Sequence, residues 1–154
     1  MIQQKQPIQE ILNLKRVAGY SSECWIETKQ HQMIISHVDD SLHGCSDELW
    51  VYGAPGVGKT HLSLVIAERF RFDYYDCGEI NPETVPELFE HLDVQCGVIL
   101  DHVECWLNYS ASESALFSWW KRKENGLVLV SEASPRADGF ITLPDLASRA
   151  HAAM

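Results

Sequence analysis

Three features that define other classes of protein are missing from this 154-residue sequence. No apolar run approaches the ~18 residues of a membrane span, and the N-terminus MIQQKQPIQE lacks the apolar centre of a signal peptide. The five cysteines are an odd number without C-x-x-C spacing, which argues against a disulfide framework and against a zinc site. We therefore expect a cytoplasmic protein with no membrane anchor, whose cysteines are reduced and serve as small core residues.

Positive charge is scarce as well. Twelve lysines and arginines face 22 aspartates and glutamates, so the formal net charge is −10 at pH 7. This balance works against non-specific attraction to DNA phosphates or anionic lipid, so direct DNA contact needs a local patch or a partner. The basic cluster Lys121–Lys123 is interpreted first as a solvated helix end and second as a DNA-contacting patch, because positive side chains favour helix C-termini.

The stretch Leu49–Thr60, which reads LWVYGAPGVGKT, carries the strongest motif in the chain. It matches the P-loop pattern G-x-x-x-x-G-K-[ST], and four apolar residues supply the strand that precedes such a loop. Glycines in this pattern let backbone N–H groups approach a phosphate chain, the lysine reaches the β- and γ-phosphates, and the hydroxyl residue binds Mg²⁺. We therefore predict a nucleotide site formed by Gly53, Ala54, Pro55, Gly56, Val57, Gly58, Lys59 and Thr60, with Thr60 as a metal ligand.

Apolar periodicity predicts strands and helices that alternate along the chain. Short apolar runs predict strands at 49–52, Phe72–Tyr75, Gly97–Asp101 and Leu127–Val130. Helical spacing predicts helices over 33–42, His61–Phe70, 82–91 and Ser112–Lys123. This alternation is typical of an α/β fold with a parallel sheet.

Two adjacent tryptophans, Trp119 and Trp120, lie on the last of these predicted helices. Large aromatic side chains are highly buried on average, but neighbouring positions on a helix point in different directions. We expect one tryptophan to face the core and the other to lie at the surface, where a partner could cover it.

The predicted strand Gly97–Asp101 ends in an acid, and P-loop proteins use an acid there to orient the waters of a phosphate-bound Mg²⁺ ion. Asp101 is therefore the candidate for a further metal-binding and catalytic residue. Hydrolysis usually needs one more group that orients the attacking water. Here the next residue is His102 and the nearest acid is Glu104, so we expect hydrolysis to be slow.

Four segments are similar to sequences of the DnaA-type AAA+ proteins, in the family's order and over about two-thirds of the chain. They are YGAPGVGKTHL at Tyr52–Leu62, VILDHVE at Val98–Glu104, LVLVSEASP at Leu127–Pro135 and LPDLASR at Leu143–Arg149. The last segment is the most specific, because many families share a P-loop. The chain thus resembles the nucleotide-binding part of a DnaA-type AAA+ protein, and within that family it is most similar to the Hda-type regulators of DnaA.

The resemblance implies a parallel-sheet P-loop NTPase core of the AAA+ type and gives roles to three further residues. His61 occupies the position after the P-loop, and Glu132 is similar to the family's acid near sensor I. Arg149 matches the arginine finger, which reaches the γ-phosphate bound by an adjacent subunit. Family members continue through a fifth strand and a helical lid, so the resemblance implies a truncated core without that lid and with an exposed edge on the P-loop strand.

From this resemblance we expect ATP or ADP and Mg²⁺ as ligands, with weak or partner-dependent ATPase activity. The catalytic candidates are Asp101, Glu104, Glu132 and Arg149. A DnaA-type or other replication protein is the expected partner, a homo-oligomer is the alternative assembly, and the implied role is replication initiation or its regulation. Two rival functions are a small P-loop kinase and an interaction module with a vestigial P-loop.

Residues 1–18 are interpreted as an N-terminal tail or docking segment, and residues 19–154 as the truncated AAA+ domain. The tail contains glutamines followed by spaced aliphatic residues, a pattern found in peptides that bind sliding clamps. Gln6-Pro7-Ile8 and Gln9–Leu14 match that pattern only in part, so a sliding clamp is a further candidate partner.

Overall fold

The computed structural model describes residues 28–42 and 48–153. Within these two ranges, four strands alternate with five α-helices. The strands are β1 (Glu48–Tyr52), β2 (Asp73–Asp76), β3 (Val98–Asp101) and β4 (Leu127–Ser131). The helices are α1 (Lys29–Leu42), α2 (Lys59–Phe70), α3 (Val85–His91), α4 (Ser110–Arg122) and α5 (Pro144–Ala152). Short 3₁₀ turns lie at Cys77–Glu79, Pro82–Thr84 and Val103–Cys105.

The strands form a parallel sheet in the order β1-β4-β3-β2. β1 pairs with β4 from Glu48 opposite Leu127 to Tyr52 opposite Ser131, and β3 lies between β4 and β2. Every residue of β3 and β4 is buried, as expected for central strands that are covered on both faces. The prediction of a parallel α/β sheet is confirmed, and each strand end lies within one residue of the predicted one.

Helices cover both faces of this sheet. On one face, Leu62 and Ile66 of α2 and residues of α1 pack with Ile99 and Val128. On the other face, α3, α4 and α5 form a second core with Leu100, Leu129 and their neighbours. Alternate residues of β3 and β4 enter opposite cores, because successive side chains of a strand point to opposite faces.

Both tryptophans of α4 are buried, so the prediction that one of them lies at the surface is wrong. Trp119 is 0% exposed and Trp120 is 1% exposed. Trp119 packs against Phe89 of α3, with the ring centroids 5.6 Å apart, while the indole N–H of Trp120 donates to Glu48 of β1. α4 is therefore enclosed on two sides, and neither tryptophan offers surface to a partner.

Two further interpretations need correction. Of the cysteines in the described residues, Cys77 is buried as expected, but Cys96 is partly exposed and Cys105 is exposed; all three are free thiols. In the basic cluster, Lys121 and Arg122 are exposed as a solvated helix end should be, whereas the side chain of Lys123 is only 3% exposed. Lys123 is therefore part of the interior.

Residues 1–18, with both partial clamp-binding patterns, lie outside the described residues, as do residues 19–27. None of the helices in the described ranges is both long enough and apolar enough to cross a membrane. β1 is the outer strand of the described sheet, and its edge is partly covered, because Trp50 N–H donates to the carbonyl of Ala153 at 2.9 Å.

Candidate nucleotide-binding site

The P-loop leaves the carboxyl end of β1 and leads directly into α2. Gly56 and Gly58 have φ angles of 80° and 96°, in the left-handed region that favours glycine. Space does not explain these glycines, because a Cβ at either position would meet no atom within 4 Å. The path of the backbone requires them, and this path places the N-terminus of α2 at the loop, where N–H groups and the helix dipole favour an anion.

Lys59 reaches back across the loop. Its Nζ donates to the carbonyl oxygens of Gly53 at 2.6 Å and Ala54 at 2.9 Å. An ammonium group has three donors and no acceptor, so two carbonyl bonds hold it in place and leave one donor for an anion. The position fits the predicted role of Lys59 toward a phosphate chain.

Asp101 lies at the carboxyl end of β3 and is 1% exposed. Thr60 donates its hydroxyl hydrogen to Asp101 Oδ2 at 2.7 Å, and Tyr74 donates to the same oxygen at 2.9 Å. The N–H of His102 donates to the other carboxylate oxygen at 2.9 Å. Burial and the charge of Asp101 raise the pKa of Tyr74 far above its ordinary value, so the phenol stays a donor. The two predicted metal ligands, Thr60 and Asp101, are thus in direct contact.

His102 follows Asp101 in the left-handed conformation, with φ of 53°. Its Nδ1 lies 3.0 Å from Asp76 Oδ1 and 3.9 Å from Asp101 Oδ2. Burial lowers the pKa of His102, but the charge of Asp101 and the hydrogen bond and charge of Asp76 outweigh that effect and raise it above its ordinary value. Two carboxylates at the ends of β2 and β3 therefore fix this imidazole at the edge of the P-loop site.

A pocket of about 260 Å³ opens in front of the P-loop. It brings together most of the predicted loop residues and the predicted acid Glu132, and it adds His102. The predicted residues Gly53, Ala54, Val57 and Asp101 do not line it, and Val57 is 58% exposed. The lining residues are Pro55, Gly56, Gly58, Lys59, Thr60, His61, His102 and Glu132.

Glu104 does not line this pocket, although it is close enough to the lining residues His102 and Glu132 for their charges to act on it. Burial is the main cause that raises its pKa above the ordinary value, and its Oε2 is buried without a hydrogen-bond partner among the described residues. A carboxyl group in such surroundings favours the neutral form. The predicted catalytic contribution of Glu104 remains a prediction.

Arg149 lies far from its own P-loop. Its Nη2 donates to Glu48 Oε1 at 3.1 Å, and Glu48 is the first residue of β1, whereas the P-loop follows the last residue. With a rise of about 3.3 Å per residue, the five residues of β1 separate the two ends by roughly 13 Å. Arg149 and the other predicted site residues thus occupy opposite ends of the sheet.

No model of a known protein family matches the sequence, and no curated protein matches it. Solved structures do match. DnaA from Aquifex aeolicus, bound to AMPPCP, is similar with a TM-score of 0.71 and 17% identity, over 89% of this chain and 49% of that chain. Domain III of the Thermotoga maritima replication initiation protein DnaA gives a TM-score of 0.65 and 18% identity, over 85% of this chain and 63% of that chain. The Thermotoga maritima RuvB Holliday junction branch migration motor gives a TM-score of 0.59 and 20% identity, over 84% of this chain and 45% of that chain.

This chain has the DnaA-type AAA+ fold. The predicted P-loop NTPase core of the AAA+ type is confirmed by these similarities. At 17% to 20% identity the likeness concerns the fold, and the chain spans about half the length of the DnaA and RuvB structures.

The residues of this AAA+ core fit a nucleotide's phosphate chain with Mg²⁺. The loop offers glycine backbone, an ammonium group and a helix N-terminus, all of which favour phosphate. Thr60 and Asp101 offer hard oxygen atoms, which Mg²⁺ prefers. The described residues contain no group of three histidine, cysteine or acidic side chains that could hold a metal by themselves.

Sequence reasoning missed Tyr74 and Asp76 and gave His102 no role. A signal for Asp76 was present: β2 reads DYYD and so ends in an acid, and the carboxyl ends of neighbouring parallel strands meet at one edge of the sheet. Asp76 pairs in register with Asp101, so an acid predicted at the end of β2 could have been placed beside Asp101. The contact between Tyr74 and Asp101 crosses strands and needed the structure.

Proposed function

We propose that this chain binds ATP or ADP with Mg²⁺ and acts through protein contacts in replication initiation or its regulation, as a cytoplasmic protein similar to the Hda type. The observation that carries the proposal is the cradle of Lys59, Thr60 and Asp101, with the two carbonyl bonds of Lys59 and the 2.7 Å contact between Thr60 and Asp101. A bound Mg²⁺ ion would supply charge neutralisation between phosphate oxygens. The chain's own contribution is to hold the phosphate chain at the N-terminus of α2.

Adenine nucleotide is proposed from the AAA+ fold together with the AMPPCP bound by Aquifex aeolicus DnaA. The partner is proposed from the position of Arg149. An arginine at the end of the sheet opposite its own P-loop can meet a nucleotide held by another subunit, and there it can neutralise phosphoryl charge in trans. We therefore propose a DnaA-type ATPase as the protein that receives Arg149.

Thermal melts with and without ATP and Mg²⁺ test the nucleotide site. A ligand that binds only the folded state stabilises it by about 2.7 kcal/mol at roughly 100 times its Kd. We expect a rise in Tm for the wild type and none for Lys59→Ala, because that variant loses the ammonium group that faces the phosphates. Lys29→Ala removes an exposed lysine of α1 and is the matched control, with a rise equal to that of the wild type.

A wild-type Tm that does not move at millimolar nucleotide and Mg²⁺ contradicts the proposal and favours an interaction module with a vestigial P-loop. A rise that persists unchanged in Lys59→Ala places the nucleotide elsewhere. Turnover that increases with a small-molecule phosphoryl acceptor favours the kinase instead.

A further inference from the structure

The carboxylate of Glu48 accepts two hydrogen bonds and forms an ion pair with a third side chain at the amino end of β1. Trp120 Nε1 donates to its Oε1 at 2.7 Å, Arg149 Nη2 donates to the same oxygen at 3.1 Å, and Lys123 Nζ lies 3.5 Å away. These three partners of Glu48 lie in α4, at the residue that follows α4 and in α5. We call these four residues the Glu48 cluster. It joins the P-loop strand to the helix that carries Arg149.

The charges in the Glu48 cluster do not cancel. One carboxylate faces two cations, of which Lys123 is almost entirely buried, with 3% of its side chain exposed. Burial raises the pKa of Glu48, but the hydrogen bond from Trp120 and the charges of Lys123 and Arg149 outweigh that effect and lower it, so Glu48 is ionised at neutral pH. Within these four residues the two cations outnumber the carboxylate, so Glu48 by itself does not neutralise both of them.

Arg149 is the member of the cluster whose side chain can meet an anion of another molecule. Its guanidinium lies over the ring of Trp120, 5.5 Å from the centroid, and 37% of its side chain is exposed. Its Nε is buried without a hydrogen-bond partner among the described residues. An isolated exposed ion pair holds a long side chain only weakly. Here one guanidinium contacts the ring of Trp120 and the carboxylate of Glu48, and its Nε is buried. These contacts together limit its conformations.

We propose that Glu48 and Trp120 are positioning residues, which hold the Arg149 guanidinium ready for a phosphate group presented by another subunit. This inference rests on the proposed function for the phosphate and on the Glu48 cluster for the positioning. Holding the guanidinium in advance reduces the entropy lost when it meets the phosphate, and it keeps the charge in place as phosphoryl charge develops. Lys123 adds a second cation 3.5 Å from Glu48 Oε1, and its Nζ donates to the carbonyl of Asn125 at 3.0 Å.

The positioning is tested on the protein alone by ¹⁵N NMR of the arginine Nε–H groups. A held, buried Nε–H gives its own resonance and exchanges slowly with water. We expect Glu48→Gln to speed exchange of the Arg149 Nε–H by about tenfold, because the amide keeps an acceptor for Trp120 but loses the charge-assisted bond to Arg149. Arg122→Ala, which removes an exposed cation at the end of α4, should leave it unchanged.

Trp120→Phe is a second variant for the case in which Glu48→Gln fails to fold. It keeps an aromatic ring under Arg149 and removes the N–H that donates to Glu48, so we expect a smaller change in the same direction. Fast exchange of the Arg149 Nε–H in the wild type overturns the positioning inference. So does an exchange rate that is the same in the wild type and in both variants.

The functional arm measures ATP hydrolysis by a purified DnaA-type ATPase as this protein is added. We expect Glu48→Gln to lower the maximal stimulated rate severalfold with little change in the half-saturating concentration, because the docking surface is intact and only the guanidinium is less ordered. Arg149→Ala should abolish stimulation, and Arg122→Ala should match the wild type. Equal maximal rates for wild type and Glu48→Gln overturn the inference. No stimulation by the wild type overturns the proposed partner, while the NMR result still decides the positioning.

Discussion

Glu113 is a buried charged residue to which the sequence analysis gave no role. It is 1% exposed, and its carboxylate accepts four hydrogen bonds. The donors lie in the loop before α4 and the segment before α5: Asn108 N at 2.8 Å, Thr142 N at 3.1 Å, Thr142 Oγ1 at 2.8 Å and Leu143 N at 2.7 Å. One side chain of α4 thus sets where α5 begins, and with it the position of Arg149.

We expect Glu113→Gln to lower the free energy of unfolding by roughly 2–4 kcal/mol at pH 7, because an amide places two hydrogens against backbone donors. Burial raises the pKa of Glu113, but the bonds from Asn108, Thr142 and Leu143 outweigh it and lower the pKa below its ordinary 4.5. The stabilisation is therefore present above pH 4.5 and is lost as pH falls through the lower native value.

Urea unfolding of wild type and Glu113→Gln at a series of pH values measures this effect. The difference between them should be largest at neutral pH and should shrink below about pH 4.5. Glu83→Gln changes an exposed acid and is the control. A difference that is constant with pH shows that the charge of Glu113 is not the cause.

His102 leads to a prediction about turnover. Its imidazole is hydrogen-bonded to Asp76 and it follows Asp101 directly, so no carboxylate occupies the next position to orient water. We expect steady-state phosphate release by the isolated protein to be only slightly above that of Lys59→Ala. Brisk turnover by the wild type that is absent from Lys59→Ala contradicts this prediction.

At the scale of elements, Gly97 sets how closely the chain packs at the point where β2 and β3 begin. It is buried, its carbonyl accepts from Asp73 N–H at 2.8 Å, and a Cβ on it would overlap the ring of Phe72. We expect Gly97→Ala to destabilise the fold by about 1–3 kcal/mol, as overpacking does in a well-packed core. Chemical denaturation checks this. Adding Phe72→Leu to Gly97→Ala should recover part of the loss, and a purely additive double variant would rule out the clash.

The elements also show what the sequence could predict. Short apolar runs located all four strands within one residue, because such a run depends only on which residues are buried along one element. The tryptophans of α4 could not be placed this way. A single-helix pattern assumes one buried face, whereas α4 packs against α3 through Trp119 and reaches β1 and α5 through Trp120. The neighbours of a helix depend on the topology of the whole fold, which the pattern of a single helix does not contain.

For the whole molecule, the sheet separates two sites. The P-loop motif and the strand-ending Asp101 could be predicted, because parallel strands bring their carboxyl ends to one edge. The Glu48 cluster could not, since its members are up to 101 residues apart in sequence. The predicted roles of Glu132 and Arg149 came from the resemblance alone, and the fold places these residues at opposite ends of the sheet.

This separation gives the last prediction. Arg149→Ala should leave the rise in Tm caused by ATP and Mg²⁺ equal to that of the wild type, because roughly 13 Å of β1 lies between Glu48 and the P-loop. The variant should fold, since Glu48 keeps the hydrogen bond from Trp120 and the charge of Lys123. Tm without nucleotide measures its folding, and Lys59→Ala marks complete loss of the rise. If Arg149→Ala also reduces the rise, Arg149 serves its own nucleotide, and a role in another subunit loses its support.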